Sequence, residues 1–180
     1  LTIEEFALYY LARATHRPVK HVRTHADDVR STNVRHAASV RARIGTTHDG
    51  RIVALDVRAL FDGGAYAAAK PGADMLPGRV PKLPYAVPHA RVERIAAYTN
   101  TVPGAYVRAP GDVQILFAIE SLIDAIAAEL GIDPLELRLR NVAAAGDTDL
   151  DGNPLAEPRL REILAVLREA TGWDAPPPPG

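Results

Sequence analysis

Residues 37–61 read Ala-Ala-Ser-Val-Arg-Ala-Arg-Ile-Gly-Thr-Thr-His-Asp-Gly-Arg-Ile-Val-Ala-Leu-Asp-Val-Arg-Ala-Leu-Phe. Apolar residues alternate with polar ones from Ala38 to Ile44 and again from Val53 to Phe61. A period of two is typical of strands with one buried face. The Asp49-Gly50 pair between them favours a tight turn, because glycine accepts positive φ at little cost. This stretch therefore predicts a β-hairpin.

The remaining patterns add helices and one more strand on both sides of this hairpin. Strands and helices occur in separate runs, which predicts an α+β fold in which a β-hairpin and a mixed sheet pack with helices. The predicted elements are a helix over Ile3–Ala14, a short strand over Val19–Thr24, a polar connection over Asp27–Thr32, a strand over Arg91–Thr99, and helices over 113–130, 134–141 and 159–171.

Residues 113–130 have the strongest helical pattern. Asp112 is the expected N-cap and Gly131 the expected left-handed residue at the other end. Apolar side chains recur at helical spacing, so one face is expected to be buried. The expected buried positions are Val113, Leu116, Phe117, Leu122, Ile123, Ile126 and Leu130.

The segment before this helix is the best candidate for a binding site. Residues 98–114 read Tyr-Thr-Asn-Thr-Val-Pro-Gly-Ala-Tyr-Val-Arg-Ala-Pro-Gly-Asp-Val-Gln, a Gly- and Pro-containing loop with one arginine, Arg108. Backbone N–H groups, the positive end of a helix and a guanidinium together suit an anionic ligand. The alternative for Arg108 is an ion pair with a carboxylate such as Asp112. Residues 67–90, with five prolines, form a second long loop of the kind that is often functional.

Composition limits the other classes of function. The net charge of −1 over 180 residues gives no electrostatic case for nucleic acid, although Arg41 and Arg43 leave an anion-binding face as a minor alternative. The chain has no cysteine, which excludes disulfides and thiolate metal ligands within it. Glu120 and Asp124 lie four residues apart, and a solvated helical face or a structural bond is favoured there over paired-carboxylate catalysis.

Several segments, in order and spacing, resemble the molybdopterin-binding large subunit of the xanthine dehydrogenase and aldehyde oxidase family of molybdenum hydroxylases. No single segment is specific, but the series runs along nearly the whole chain. The segments are Arg17–Lys20, Arg35-His36, Asp49–Leu55, Gly64–Tyr66, Tyr85–Val92, Tyr98–Thr101, Arg108–Gly111, Phe117–Asp124 and Gly131–Asn141.

The resemblance implies part of a hydroxylase that oxidises a C–H bond with oxygen from water. Its cofactor would be a molybdenum-pyranopterin, in its simple form or as a cytosine dinucleotide. Iron–sulfur clusters and FAD would lie on partner domains or subunits, and the compartment would be the cytoplasm, with the periplasm as the alternative. Arg108 matches the family arginine beside the molybdenum site. The implied cofactor-binding residues are Arg108, Ala109, Gly111 and Gln114, and the implied substrate-pocket residues are Tyr106, Val107 and Pro110.

Two departures from the family pattern bear on the substrate. Purine-oxidising members have Gly-Phe-Gly after the arginine, whereas this chain has Ala109-Pro110-Gly111. The second arginine of purine oxidisers falls near Leu76 here, with Arg79 only nearby. An aldehyde or another N-heterocycle is therefore expected rather than xanthine.

The resemblance also sets expectations for the domain and for activity. Residues 1–172 are expected to form part of a molybdenum-cofactor-binding domain truncated at both ends, and residues 173–180 a disordered Pro-rich tail. The glutamate that acts as general base in the family is expected beyond Gly180, so no catalytic residue and no protein metal ligand is expected in this chain. The chain alone is expected to be inactive. The alternative is a non-catalytic scaffold or interaction module derived from this fold.

Overall fold

The computed structural model describes residues 3–32, 34–66, 84–149, 152–155 and 158–175, and everything below concerns these residues. Contacts divide the chain into two compact units, Leu1–Asn33 and Val34–Gly180. None of the described helices is long and apolar enough to cross a membrane. The described elements are α1 (Ile3–Thr15), α2 (His25–Ser31), β1 (Val34–Arg35), β2 (Ala38–Thr46), β3 (Ile52–Gly64), β4 (His89–Tyr98), β5 (Gly104–Ala105), α3 (Asp112–Leu130), α4 (Pro134–Asn141) and α5 (Leu160–Thr171).

The first unit consists of α1 and α2. The predicted first helix is confirmed, but the predicted strand over Val19–Thr24 is wrong, and a helix replaces most of the predicted polar connection. A capping box starts α2: the Thr24 hydroxyl accepts from the Asp27 N–H, and the Asp27 carboxylate accepts from the Thr24 N–H, both at 3.2 Å. These two reciprocal hydrogen bonds stabilise the first turn of α2, a helix that the hydrophobic pattern of the sequence does not predict.

The second unit is built on a mixed three-stranded sheet with the order β2-β3-β4. β2 and β3 are antiparallel, which confirms the hairpin, and β3 and β4 are parallel. β3 continues beyond the alternating stretch, which stops at Phe61, as far as Gly64, with a register irregularity between Asp62 and Gly64. The alternation holds from Leu55 to Phe61, whereas Val53 is exposed and Ile52 is buried beside a register shift in β2.

Helix α3 packs its buried side on this sheet, but not the side that was predicted. Ile123 is buried as expected, whereas Val113 and Phe117 are exposed, Phe117 by 74%. The helix is apolar nearly all the way round, so periodicity alone does not identify the inner face. The side chains that point into the core are Ile115, Ile119, Ile123 and Ala127.

The same ambiguity affects two other helices. In α1, Phe6 and Tyr10 follow Ile3 at the helical spacing of a buried stripe, yet both side chains are exposed. In α5 only Leu164 is buried, while Ile163 and Leu167 are largely exposed. A unit of about thirty residues such as the one that holds α1 is too small to enclose a core of its own.

The buried side chain of Asn141 fixes the end of α4 to the hairpin turn. Its Nδ2 donates to the carbonyls of Gly50 and Leu137, each at 2.8 Å, and its Oδ1 accepts from the Ile52 N–H at 2.7 Å. All of its strong hydrogen-bonding atoms are therefore used inside the fold. The start of α4 is as predicted, with Pro134 in the first turn and the Asp133 side chain as cap.

Residues just after α5 make side-chain contacts. Trp173 Nε1 donates to Asp133 at 3.0 Å, and Arg168 pairs with Asp174 at 2.8 Å. The disordered Pro-rich tail over residues 173–180 stays a prediction. Residues 176–180 lie outside the described part of the chain, as do Leu76, Arg79 and most of the predicted loop over 67–90. The one-domain interpretation of residues 1–172 stays a prediction.

Replacing Ile123 by alanine tests the inner face of α3. The side chain is only 1% exposed, so its truncation should lower the free energy of unfolding by about 2–5 kcal/mol. Phe117→Ala on the opposite side of the same helix is the matched control and should cost less than about 1 kcal/mol in this chain. Equal losses in a chemical denaturation experiment would contradict the assignment of the faces.

Candidate functional site

The predicted site loop, residues 106–111, connects β5 to α3. Its side chains face outward at Tyr106, Val107, Arg108 and Ala109, with Pro110 half-buried and Gly111 buried. Ala109 has φ of 53° and Gly111 has φ of 80°, both in the left-handed region. Such a conformation is unusual for a residue other than glycine, and so the surroundings must hold Ala109 in place.

The chain just before the hairpin supplies that support. β1 and β5 form a short parallel pair in which Arg35 lies opposite Ala105. The Arg35 guanidinium then reaches the loop, where Nη2 donates to the Arg108 carbonyl at 2.9 Å and Nη1 to the Ala109 carbonyl at 3.4 Å. Because the two segments are more than 70 residues apart in the chain, sequence spacing alone did not connect them.

Gln114, in the first turn of α3, makes the second connection between these segments. Its Nε2 donates to the His36 carbonyl at 2.9 Å. Its Oε1 and the Nε2 of His36 are both buried and have no hydrogen-bond partner among the described residues. Buried polar atoms are almost always paired, and so these two unpaired atoms set this part of the described structure apart.

The His36 ring packs against Gly104 of β5. A Cβ built on Gly104 would overlap the imidazole, so a larger residue there would require the ring to move. Burial lowers the pKa of His36 below its usual value, and the nearby Asp62 carboxylate offsets part of that effect. The imidazole is therefore favoured in its neutral form, with one ring nitrogen able to accept a hydrogen bond.

The segment over residues 99–103, which precedes β5, is anchored to the end of β3. Asp62 accepts hydrogen bonds from the Thr99 and Thr101 hydroxyls and from the Gly64 N–H. These bonds, led by that of Thr99, lower the pKa of Asp62. Gly64, with φ of 77°, lies so close to Pro103 that a Cβ would come within 2.5 Å of its backbone. Both the positive φ and the close approach explain the glycine.

The N-terminus of α3 is not capped by a side chain. The N-cap is Gly111 rather than the predicted Asp112, and no side-chain hydrogen bond is made there. Asp112 lies in the first turn, and burial raises the pKa of its carboxyl. The first N–H groups of the helix are thus left without a side-chain acceptor, next to the predicted site residues.

Glu120 and Asp124 have a structural role. Glu120 accepts from the Tyr85 hydroxyl at 2.9 Å and pairs with Arg138 at 2.8 Å, while Asp124 pairs with the same guanidinium at 2.7 Å. Burial and the Glu120 charge raise the pKa of Tyr85 far above its usual range. This network joins α3 to α4, and the interpretation of Glu120 as a structural residue is favoured over paired-carboxylate catalysis.

Comparison with known proteins identifies the family. The family described as "Molybdopterin cofactor-binding domain" matches residues 1–142. The chain belongs to this family. The resemblance drawn from the sequence segments is therefore confirmed, and with it the cofactor class that the family implies.

Curated relatives agree with this assignment. The chain is 37% identical over 147 residues to one subunit of a probable xanthine dehydrogenase of Bacillus subtilis, a match that covers 82% of this chain and 20% of that protein. It is 33% identical over 156 residues to a nicotinate dehydrogenase large molybdopterin subunit of Eubacterium barkeri, covering 86% and 37% respectively. The chain thus spans a fifth to little more than a third of the length of these relatives.

Solved structures confirm the α+β fold. The aldehyde oxidoreductase of Desulfovibrio gigas superposes with a TM-score of 0.83 at 28% identity, over 96% of this chain and 19% of that one. The quinoline 2-oxidoreductase of Pseudomonas putida 86 superposes with a TM-score of 0.80 at 29% identity, over 95% and 22%. The mixed sheet packed with helices is therefore shared with the matching part of both oxidoreductases.

Alanine at Gly64 tests the close approach of the end of β3 to Pro103. Gly64→Ala should lower the free energy of unfolding by about 1–2 kcal/mol for the positive φ, and by about 1–3 kcal/mol more for the contact with Pro103. Gly131→Ala is the matched control, because Gly131 has φ of 66° but no described atom within 4 Å of a Cβ there. Equal destabilisation of the two variants would show that the close approach is unimportant.

Titration of His36 tests the burial of its ring. Because the folded-state pKa is lowered, the unfolded chain binds more protons just below pH 6.5, and stability should fall as the pH drops through about 6.5. The NMR titration midpoint of its imidazole, assigned with His36→Gln, should lie below about 6.5. A midpoint at or above that value would contradict the buried, neutral ring.

Proposed function

We propose that this chain is part of the large subunit of a molybdenum-pterin hydroxylase that oxidises an aldehyde or an N-heterocycle with water as the oxygen source. The observation that carries the proposal is the loop over residues 106–111. It leads into the N-terminus of α3, which has no side-chain cap, and the neighbouring His36 and Gln114 each carry a buried polar atom without a partner among the described residues, in a chain of a cofactor-binding family.

Four residues would hold the cofactor in this proposal. The Arg108 guanidinium is exposed and supplies a positive charge and up to five N–H donors to an anionic group. The Ala109 and Gly111 backbone groups approach closely, because neither residue adds a bulky side chain. Gln114 offers its unpaired Oε1 as an acceptor. When bound, the cofactor would supply two-electron oxidation chemistry, and these side chains would orient it and balance its charge.

Tyr106, Val107 and Pro110 would form the substrate side of the loop. Tyr106 and Val107 are exposed beside Arg108, where they offer apolar surface to an organic substrate. Pro110 stands where purine oxidisers of this family carry a phenylalanine that stacks on the substrate, and it offers no aromatic ring. This difference favours an aldehyde or a non-purine heterocycle over xanthine, although the curated relatives include a probable xanthine dehydrogenase.

The partners in this proposal are the rest of the large subunit and the domains or subunits that carry iron–sulfur clusters and FAD. Electrons taken from the substrate must leave the cofactor through another redox centre. Because this chain has no cysteine, the cysteine ligands of an iron–sulfur cluster would have to come from a partner domain or subunit. The cytoplasm is the compartment proposed. A general base, which the family provides as a glutamate elsewhere in the large subunit, would complete the site.

The anion- or nucleic-acid-binding alternative is less well supported. Arg43 pairs with Asp56 at 2.6 Å, and Arg91 pairs with the same carboxylate at 3.1 Å. Neighbouring Arg58 pairs with Glu93 at 3.0 Å. Much of the positive charge on this face of the sheet is thus balanced within the sheet, and the net charge of the chain is slightly negative.

Arg108→Ala in the full-length, cofactor-loaded enzyme tests this proposal. Removing a charge that faces the reacting group should lower kcat by about 10²-fold or more, with the fold unchanged because the side chain is exposed. Arg41→Ala, an exposed arginine on β2, is the control and should keep full activity. Steady-state kinetics with aldehydes, N-heterocycles and xanthine give the readout. Unchanged kcat in Arg108→Ala would remove Arg108 from the site, and absence of any turnover in a loaded wild type would favour the non-catalytic module.

A further inference from the structure

We propose that Arg35 is a positioning residue that fixes the cofactor-facing conformation of the loop over residues 106–111. This inference rests on the proposed function, since it concerns how the loop meets the cofactor. Arg35 itself acts through the loop backbone.

The contact is a two-point attachment to consecutive carbonyls. Nη2 of Arg35 donates to the Arg108 carbonyl at 2.9 Å, and Nη1 donates to the Ala109 carbonyl at 3.4 Å. The guanidinium is planar and its donors form a fixed fork, so two bonds restrict the orientation of the loop much more than one would. A lysine ammonium keeps the charge but is a single compact donor group and lacks this geometry.

The contact with Arg35 fixes the orientation of the peptide unit between Arg108 and Ala109. In a trans peptide the C=O and the following N–H point in opposite directions. Because the Arg108 carbonyl points towards Arg35, the Ala109 N–H points away from it. The next unit has no N–H, since residue 110 is proline. Arg35 therefore selects the side of the loop on which a backbone donor is presented.

The same bonds account for the unusual backbone at Ala109. Its φ of 53° carries a cost for a residue with a side chain. Two charge-assisted bonds to the carbonyls on either side of its Cα oppose a return to the ordinary region. Without Arg35, the loop is expected to relax and the Ala109 N–H to lose its fixed direction.

Arg35 is itself held firmly at its backbone. It pairs with Ala105 in the parallel bridge between β1 and β5, and the next residue, His36, packs on Gly104. The His36 carbonyl accepts from Gln114 in α3. The guanidinium therefore projects from a fixed base towards the loop, as a positioning residue requires.

The test compares Arg35→Lys and Arg35→Ala in the full-length protein with its partner subunits, against the control Arg41→Ala. The rate of pterin release in mild denaturant, followed by pterin fluorescence, is the first readout, and kcat and KM are the second. Loss of charge-assisted bonds predicts release at least about tenfold faster in both Arg35 variants, with no rescue by lysine. Melting temperatures show whether the fold is kept.

A double-mutant cycle separates positioning from simple stabilisation. If Arg35 acts through the 106–111 loop, its effect on pterin release should be smaller in an Arg108→Ala background than in the wild type. The inference would be overturned if the effects of the Arg35 and Arg108 substitutions on pterin release were additive. It would also be overturned if Arg35→Lys behaved as wild type, or if the Arg35 variants released pterin no faster than Arg41→Ala. A wild-type protein that contains no pterin would overturn the proposed function as well, whereas a loaded wild type with unaffected Arg35 variants would overturn this inference alone.

Discussion

The attachment of residues 34–36 to residues 104–114 is the constraint on which the candidate site depends. The loop over 106–111 has no regular structure and contains a residue with positive φ at Ala109. Three connections hold it: the β1–β5 pair, the Arg35 guanidinium on two carbonyls, and Gln114 on the His36 carbonyl. Each joins parts of the chain about 70 residues apart. The sheet and α3 provide the fixed base from which both segments project.

A site that stabilises negative charge by hydrogen bonding needs rigid support. Donors that are already oriented require no rearrangement when charge develops on the ligand during the reaction. Among the described residues, two buried side-chain atoms, His36 Nε2 and Gln114 Oε1, have no hydrogen-bond partner. Arg138, by contrast, is paired with Glu120 and Asp124, and Asp62 with Thr99 and Thr101. The contrast sets the segments on either side of the 106–111 loop apart from the rest of the described fold, which agrees with the proposed site.

The sequence predicted the parts of this architecture that depend on local periodicity. The hairpin, strand β4 and the helices α3 and α4 follow from alternation, helical spacing and glycine placement, although the predicted cap of α3 at Asp112 was wrong. The prediction of the buried face of α3 was wrong, because Phe117 and Ile115 are both strongly apolar and only tertiary packing distinguishes them. The site residues came from a resemblance, and they remain predictions. Arg35 was missed as a support of the loop, since a contact between side chain and distant backbone leaves no signal in a single sequence.

The molybdenum and pterin content of the purified full-length protein decides whether the 106–111 loop belongs to a cofactor site. Metal analysis and fluorescence of the released pterin, both normalised to protein, give the two stoichiometries independently. We expect about one molybdenum and one pterin per large subunit, as for a single cofactor site. A well-folded full-length protein that contains neither would contradict it, and the loop over 106–111 would then be a structural connection in a scaffold.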